Sequence, residues 1–437
     1  MSRHVARRFV TALMVAGVAA IVAAAPAAAT PGPPLRVGPA AIDAAVTCAG
    51  PSLATAARPP VLLVHGTFVT ADVWRGGFYE ALQADGHPAC LVEVPDFEVG
   101  DVQDSVQYVV GAIRLVRARA GRPIAVVGHS QGAFLTSFAL RFWPDLASGV
   151  SDFAGLAGVY DNGTTLADTL CLVPCGPAGR QLRPGSALLT ALARRPVYPG
   201  PSVTALATRF DEVVTPQPRG GLLGGARQLV VQDRCPAHVV EHGGMSSDAV
   251  AYAVVRDAVD HPGPGDLSRI PDAACAAQLV PGAAPTKPVT DALGLAAGTA
   301  AFYARAVGVE PPVRCVFVRR CTPRTFTPGI VARLDRRSGT GAPWTVRTRG
   351  AIVLPSGAVD LCAGTVSVAI VRGTRTVSTR RAAVRRDCSF ASTARLGGTA
   401  RAAATVRGRL RIRARYLARG ELRGAAAPTL TYVARRG

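Results

Sequence analysis

A chain of 437 residues is longer than one hydrophobic core usually fills, which excludes a single small domain. Hydrophobic residues make up 49% of it, yet after residue 29 no apolar run is long enough to cross a bilayer, which excludes a multi-span membrane protein. The net charge of +21 is carried almost wholly by arginine, Lys287 being the only lysine, and it is unevenly placed: residues 323–437 hold 23 arginines against Asp335, Asp360, Asp387 and Glu421.

Arg3, Arg7 and Arg8 precede an apolar run from Phe9 to Ala25, and Ala27-Ala28-Ala29 closes it. That order describes a secretory signal peptide over residues 1–29 and a secreted, extracellular mature protein. Ten cysteines, an even count, then point to disulfides. None has C-x2-C spacing, so no structural metal is expected.

Pro59 to Val64 (PPVLLV) and residues 89–94 (ACLVEV) are short, wholly apolar runs of the kind buried on both faces of a parallel sheet. Asp101 caps a helical segment in which Val102, Val106, Val109, Val110, Ile113 and Val116 share one face and Arg114 and Arg117 the other. PIAVV (123–127) is a third strand, and QGAFLTSFALRF follows it with helical periodicity. SVTALAT (202–208) and RQLVVQ (227–232) are further strands. Strands alternating with helices predict an α/β fold with a mainly parallel central sheet over residues 30–322.

After TPRTFTPG, whose prolines mark a linker near 322–330, the pattern changes. AIVLPSG, AVDLCAG, TVSVAIVRG and RLRIRARYLARG alternate and are separated by glycine turns, as in a small antiparallel β-sandwich spanning 323–437. A bridge between Cys362 and Cys388 would tie two of these strands. In RLRIRARYLARG, Arg409, Arg411, Arg413 and Arg415 share a face and form a solvent-facing cationic row.

Gly128-His129-Ser130-Gln131-Gly132 is G-x-S-x-G between a strand and a helix, the context of a nucleophile elbow. A serine nucleophile needs a base, and the base an orienting carboxylate. Asp211, in DEVVTP just past the 202–208 strand, supplies the carboxylate, with Glu212 as the neighbouring competitor. HVVEH (238–242) admits two readings. As H-x-x-E-H it would be a zinc site, which needs a helix. Pro236 upstream, the β-branched pair Val239-Val240 and Gly243-Gly244 downstream all disfavour one. As a loop it delivers His242 as the base, while His238 packs or caps locally. The backbone amides of Thr67, after the first strand, and Gln131, after the serine, form the oxyanion hole, with the Thr67 hydroxyl as a further donor.

LLVHGTFVT, GHSQG, ATRFDEVVTP and the cysteine-to-EHGG segment, in this order and spacing, resemble the Candida lipase B-like family of secreted α/β-hydrolases over residues 40–322. The resemblance implies Ser130, Asp211 and His242 as the triad and Thr67 with Gln131 as the oxyanion hole. It also implies disulfides Cys48–Cys90 and Cys235–Cys275, and a last bridge for which Cys315–Cys321 would stand in. Two departures concern selectivity. The tryptophan that the family's best-known member has before the nucleophile, lining its alcohol pocket, is His129 here. The lid-like segment, about 162–188, contains CLVPC, where a Cys171–Cys175 bridge would stiffen it.

The reading is thus a lipase or esterase acting on ester or lipid substrates through an acyl-enzyme, needing no cofactor or metal and acting as a monomer. Two alternatives keep other uses for the same features. One is an acyltransferase or polyester depolymerase on the same site. The other is an envelope-binding protein with a remnant hydrolase fold. For the arginine-rich tail, an anionic cell-envelope or lipid surface is the expected partner. Nucleic acid is not, because the signal peptide sends the chain outside the cell.

Overall fold

The computed structural model describes residues 31–197, 199–217, 219–318, 327–354, 362–385, 387–419 and 422–437, without the side chains of 288–290. The signal-peptide expectation and the Cys321 half of the Cys315–Cys321 expectation lie outside them. The chain divides into two compact units, one ending at residue 319 and the other starting at 320.

The first unit is built on seven strands: β1 (Val46–Ala49), β2 (Val61–Val64), β3 (Ala89–Val92), β4 (Ile124–His129), β5 (Val150–Leu156), β6 (Ser202–Ala207) and β7 (Arg227–Val230). Their spatial order is β1-β3-β2-β4-β5-β6-β7, and every pairing is parallel except β1 with β3. The all-apolar composition of β2 has its reason in two cores. Leu62 and Val64 join the cluster that includes the helices Val102–Ala120 and Gln131–Phe142. Val61 and Leu63 join the cluster that includes the helices Phe78–Ala84 and Ala249–Asp260. A sheet covered on both faces has no room for alternation.

The helix Val102–Ala120 begins where the Asp101 carboxylate accepts from the Gln103 amide and stops at Gly121 in the left-handed region (φ 67°). β7 is shorter than its sequence predicts. It ends at Val230, and residues 231–234 form one helical turn in which Gln232 hydrogen-bonds Thr208 Oγ1 and the His238 carbonyl. Those bonds hold Gln232 against the end of β6 instead of extending the sheet.

The second unit contains β8 (Gly329–Leu334), β9 (Ser338–Thr340), β10 (Trp344–Val353), β11 (Thr365–Arg372), β12 (Arg375–Ala383), β13 (Ser389–Leu396), β14 (Gly408–Tyr416), β15 (Ala425–Ala426) and β16 (Leu430–Arg435). One sheet runs β13-β10-β8, the other β12-β11-β14-β16-β9 with β15 beside β14, and only β16–β9 is parallel. Trp344, Val346 and Phe390 from the first sheet and Val368, Leu410, Ile412 and Tyr432 from the second share one core, the sandwich expected from the alternation. Most of AVDLCAG lies outside the described residues. Among those described, Cys48–Cys90, Cys171–Cys175, Cys235–Cys275 and Cys362–Cys388 are bridged.

Candidate active site

In an open parallel sheet, binding crevices form beyond the carboxyl ends of the strands where the chain order reverses. Here that point lies between β2 and β4. Ser130 follows β4 and sits at φ 54°, ψ −121°, a conformation L-residues rarely adopt. Its neighbours permit it. A Cβ on Gly132 would lie 2.1 Å from the His65 carbonyl oxygen, and one on Gly128 2.6 Å from the Ala133 backbone. A Cβ on Gly66 would come within 2.8 Å of Cβ of Ser130 itself. The glycines of GHSQG, and that of HGT, are therefore space requirements of a turn that pushes one side chain out of the sheet.

The structure brings Ser130, His129, Thr67 and His242 onto one largely apolar cavity of about 860 Å³. Val159, Leu166, Leu170, Leu182, Leu295 and Phe302 also line it. HVVEH is loop, not helix, so its two histidines part company. His242 Nδ1 stands 3.0 and 3.1 Å from the two oxygens of Asp211. Burial alone would raise the Asp211 pKa. The His242 hydrogen bond and the amides of Val214 and Val213 outweigh it and hold the carboxyl below its ordinary range. An ionised carboxylate only accepts, so the hydrogen between them is donated by His242 Nδ1, and Nε2 is the ring nitrogen available for proton transfer. Glu212 takes a different task, accepting from the His242 backbone amide at 3.2 Å.

His238 points elsewhere. Its Nε2 meets Asp248 Oδ2 at 2.5 Å, and Asp248 also caps the helix Ala249–Asp260 through the Ala251 amide. The pair fastens the loop to the next helix. No group of three metal-ligating side chains occurs among the described residues.

His129 lines the cavity, and its Nε2 donates to the His242 carbonyl at 2.8 Å. Burial, reinforced by the His242 charge, lowers its pKa to about 3, so this ring stays neutral. It braces the loop that carries His242. Thr67 and Gln131 are joined side chain to side chain: Thr67 Oγ1 donates to Gln131 Oε1 at 2.6 Å, and Gln131 Nε2 donates to the Glu98 carbonyl at 2.9 Å. The Thr67 hydroxyl proton, expected from the sequence to face an oxyanion, is thus directed at an amide oxygen in this state. Gln131 opens the helix Gln131–Phe142, so its N–H is among the four amides that a helix leaves without an intrahelical partner.

Sequence reasoning missed Glu98. Asp96, Phe97 and Glu98 are all left-handed (φ 61°, 56° and 56°), an uncommon run for non-glycine residues. The turn presents the Phe97 carbonyl to the Phe68 amide and the Glu98 carbonyl to Gln131. The Glu98 side chain is fully buried, 3.6 Å from His65 Nδ1, with neither oxygen hydrogen-bonded. Burial, with the Glu93 charge adding to it, raises its pKa well above the carboxylate range, so it is a neutral acid. In the sequence, FEVG reads only as an acidic loop.

No family model matches the chain. Lipase B of Pseudozyma antarctica is 31% identical over 231 residues, which cover 50% of this chain and 66% of that protein's length. The crystal structure of Aspergillus fumigatus lipase B aligns with a TM-score of 0.60 at 24% identity, covering 66% of this chain and 74% of that one, a likeness of fold.

Proposed function

The chain belongs to the Candida lipase B-like family of α/β-hydrolases, and from that premise we propose that it is a secreted carboxylic ester hydrolase, a lipase or esterase working through Ser130, His242 and Asp211. The observation that carries the reading is a strained Ser130 and an Asp211-bound His242 on one apolar cavity. In this reaction His242 Nε2 takes the proton of Ser130 Oγ as the oxygen attacks the ester carbonyl carbon. The carbonyl π pair becomes an oxyanion received by the amides of Thr67 and Gln131. Collapse breaks the ester C–O bond, and the departing alkoxide oxygen leaves as the alcohol by taking from His242 the proton that came from Ser130. Water repeats the cycle on the acyl-enzyme and releases the acid. Asp211 steadies the imidazolium throughout. The apolar lining suits an acyl chain or similar hydrocarbon. Four disulfides among the described residues suit an oxidising, extracellular location.

The test is hydrolysis of p-nitrophenyl esters by the full chain. Ser130→Ala and His242→Ala are each expected to lower kcat/KM by about four to six orders of magnitude, and Asp211→Ala by somewhat less. His238→Ala, whose partner is Asp248, keeps most of the activity if the variant still folds. Labelling of Ser130 by a fluorophosphonate tracks the same losses. Hydrolysis that survives Ser130→Ala, or that a chelator abolishes and zinc restores, would refute the serine mechanism.

A further inference from the structure

We infer that the outer face of β14 is a docking surface for a linear polyol-phosphate polymer, a phosphodiester chain without bases such as poly(glycerol phosphate). β14 is the central strand of its sheet, and its burial alternates strictly: Leu410, Ile412 and Ala414 enter the core while Arg409, Arg411, Arg413 and Arg415 face solvent. Successive arginines on one face lie about 7 Å apart, so the four form a straight row about 20 Å long.

Three features say what fits that row. The first is charge. None of the four makes an ion pair among the described residues, though Arg411 donates one N–H to the Gly373 carbonyl. The described carboxylates of this unit are engaged elsewhere, Asp335 with Arg349 and Asp387 with the Ser389 amide. Four desolvation-tolerant, forked donors without counter-charges match phosphate, which guanidinium binds in a bidentate manner. The second is relief. The register sets Arg415 beside Ser367 and Arg413 beside Ala369 on β11, and Arg411 beside Thr431 and Arg409 beside Val433 on β16. Short side chains on both flanks, with Val371 of β11 also beside Arg411 and Ala426 of β15 beside Arg415, keep the four as a distinct row that suits a chain, and Arg381 of β12, beside Ser367, is the next cation outward. The third is the lack of hydrophobic anchors. No aromatic or long aliphatic side chain joins the row from these flanking positions. An interfacial lipid-binding face needs such groups, and a single-stranded nucleic acid needs aromatic platforms for its bases. A polymer whose phosphates are linked through three-carbon units needs neither, and places its charges at a spacing of the same order as the arginines.

The test is binding of the full-length chain to a fluorescent poly(glycerol phosphate) oligomer, read by anisotropy across a salt series. Tight binding at low salt is expected, with log Kd rising against log salt at a slope of about 3 for four phosphate contacts. A quartet of Arg→Gln at 409, 411, 413 and 415 should weaken it at least about tenfold. A control quartet at Arg333, Arg347, Arg349 and Arg395, on the sheet β13-β10-β8, removes the same charge and should cost far less. Single exposed substitutions, each lowering the slope by about 0.7, keep the test valid if a quartet disturbs folding. Equal loss in the two quartets would mean that net charge alone binds and would overturn the proposal. So would equal or tighter binding of single-stranded DNA of matched charge, or a ridge-dependent association with phosphatidylglycerol vesicles but not with the oligomer. Ester hydrolysis, measured in the same samples, reports on the catalytic reading independently.

Discussion

Glu98 carries its proton in the folded protein, because burial puts its pKa well above 4.5, the value it approaches when unfolded. A raised carboxyl pKa means that folding takes up a proton. Its unfavourable contribution is therefore absent below the unfolded value and grows as pH rises towards the folded one. Glu98→Gln keeps the shape without the titration. The variant is expected to gain stability over the parent at pH about 8 and little or none at pH about 4, read from urea midpoints. An identical difference at both pH values would show that Glu98 does not titrate on unfolding. Thr67 supports a second prediction at this scale. Its hydroxyl donates to the neutral amide oxygen of Gln131. An oxyanion is the stronger acceptor, so as charge develops the hydroxyl should turn to it and become the third donor. Thr67→Val, which keeps the backbone amide, is then expected to lower kcat by about 10²–10³ with KM little changed. A loss of only a few fold would mean that the hydroxyl merely holds Gln131 in place.

The helix Lys287–Ala304 walls the cavity through Asp291, Leu295 and Phe302, and its first residue is the chain's only lysine. The ammonium is buried, donating to the Val73 carbonyl at 2.6 Å and to both oxygens of Asp291 at 2.8 Å. Burial raises the Asp291 pKa while Lys287 opposes that rise. Lys287→Met fills the same space but leaves a half-buried carboxylate and a carbonyl without their donor. A loss of about 1–3 kcal/mol in unfolding free energy is expected, together with altered KM for long-chain esters as the helix loosens. No change in either would remove the helix's anchor from consideration. Elements like this mark the limit of what the sequence could tell. β2, β4 and the helix Gln131–Phe142 were legible because burial on both sides writes continuous apolar runs, and GHSQG carries its own steric logic. β5 was not legible, since Ser151 and Asp152 interrupt its apolar run and Gly155 is there to clear the Tyr160 hydroxyl. β12 was missed for another reason: an edge strand with a solvated face, RTVSTRRAA, has almost no hydrophobic signal. Asp211, Glu212 and His242 could be named from strand order, but their division of labour, ring against backbone amide, exists only in three dimensions.

At the scale of the whole molecule, the proposed chemistry and the excess charge occupy different parts of the chain. Every residue that lines the cavity holding Ser130 and His242 falls between Thr67 and Tyr303. The apolar clusters of the first unit close with Phe317, and that of the second draws on residues from Ile330 onward. The described disulfides respect the same division, each joining cysteines of one unit. A hydrophobic core, a cross-link set and a complete constellation of reacting groups are what independent folding and catalysis require. The last part of the chain carries 23 arginines after residue 322 against four carboxylates, and none of the residues that line the cavity lies there. A chain ending at residue 322 is therefore expected to melt cooperatively and to hydrolyse soluble p-nitrophenyl esters with kcat/KM within about threefold of the full chain. Its electrophoretic mobility and salt-dependent adsorption to polyanions should change sharply, because a surplus of 19 positive charges has gone. Should the shortened chain melt cooperatively yet lose more than about tenfold in kcat/KM, the second unit would have to shape the catalytic centre itself. The assignment of reaction to one unit and attachment to the other would then fail.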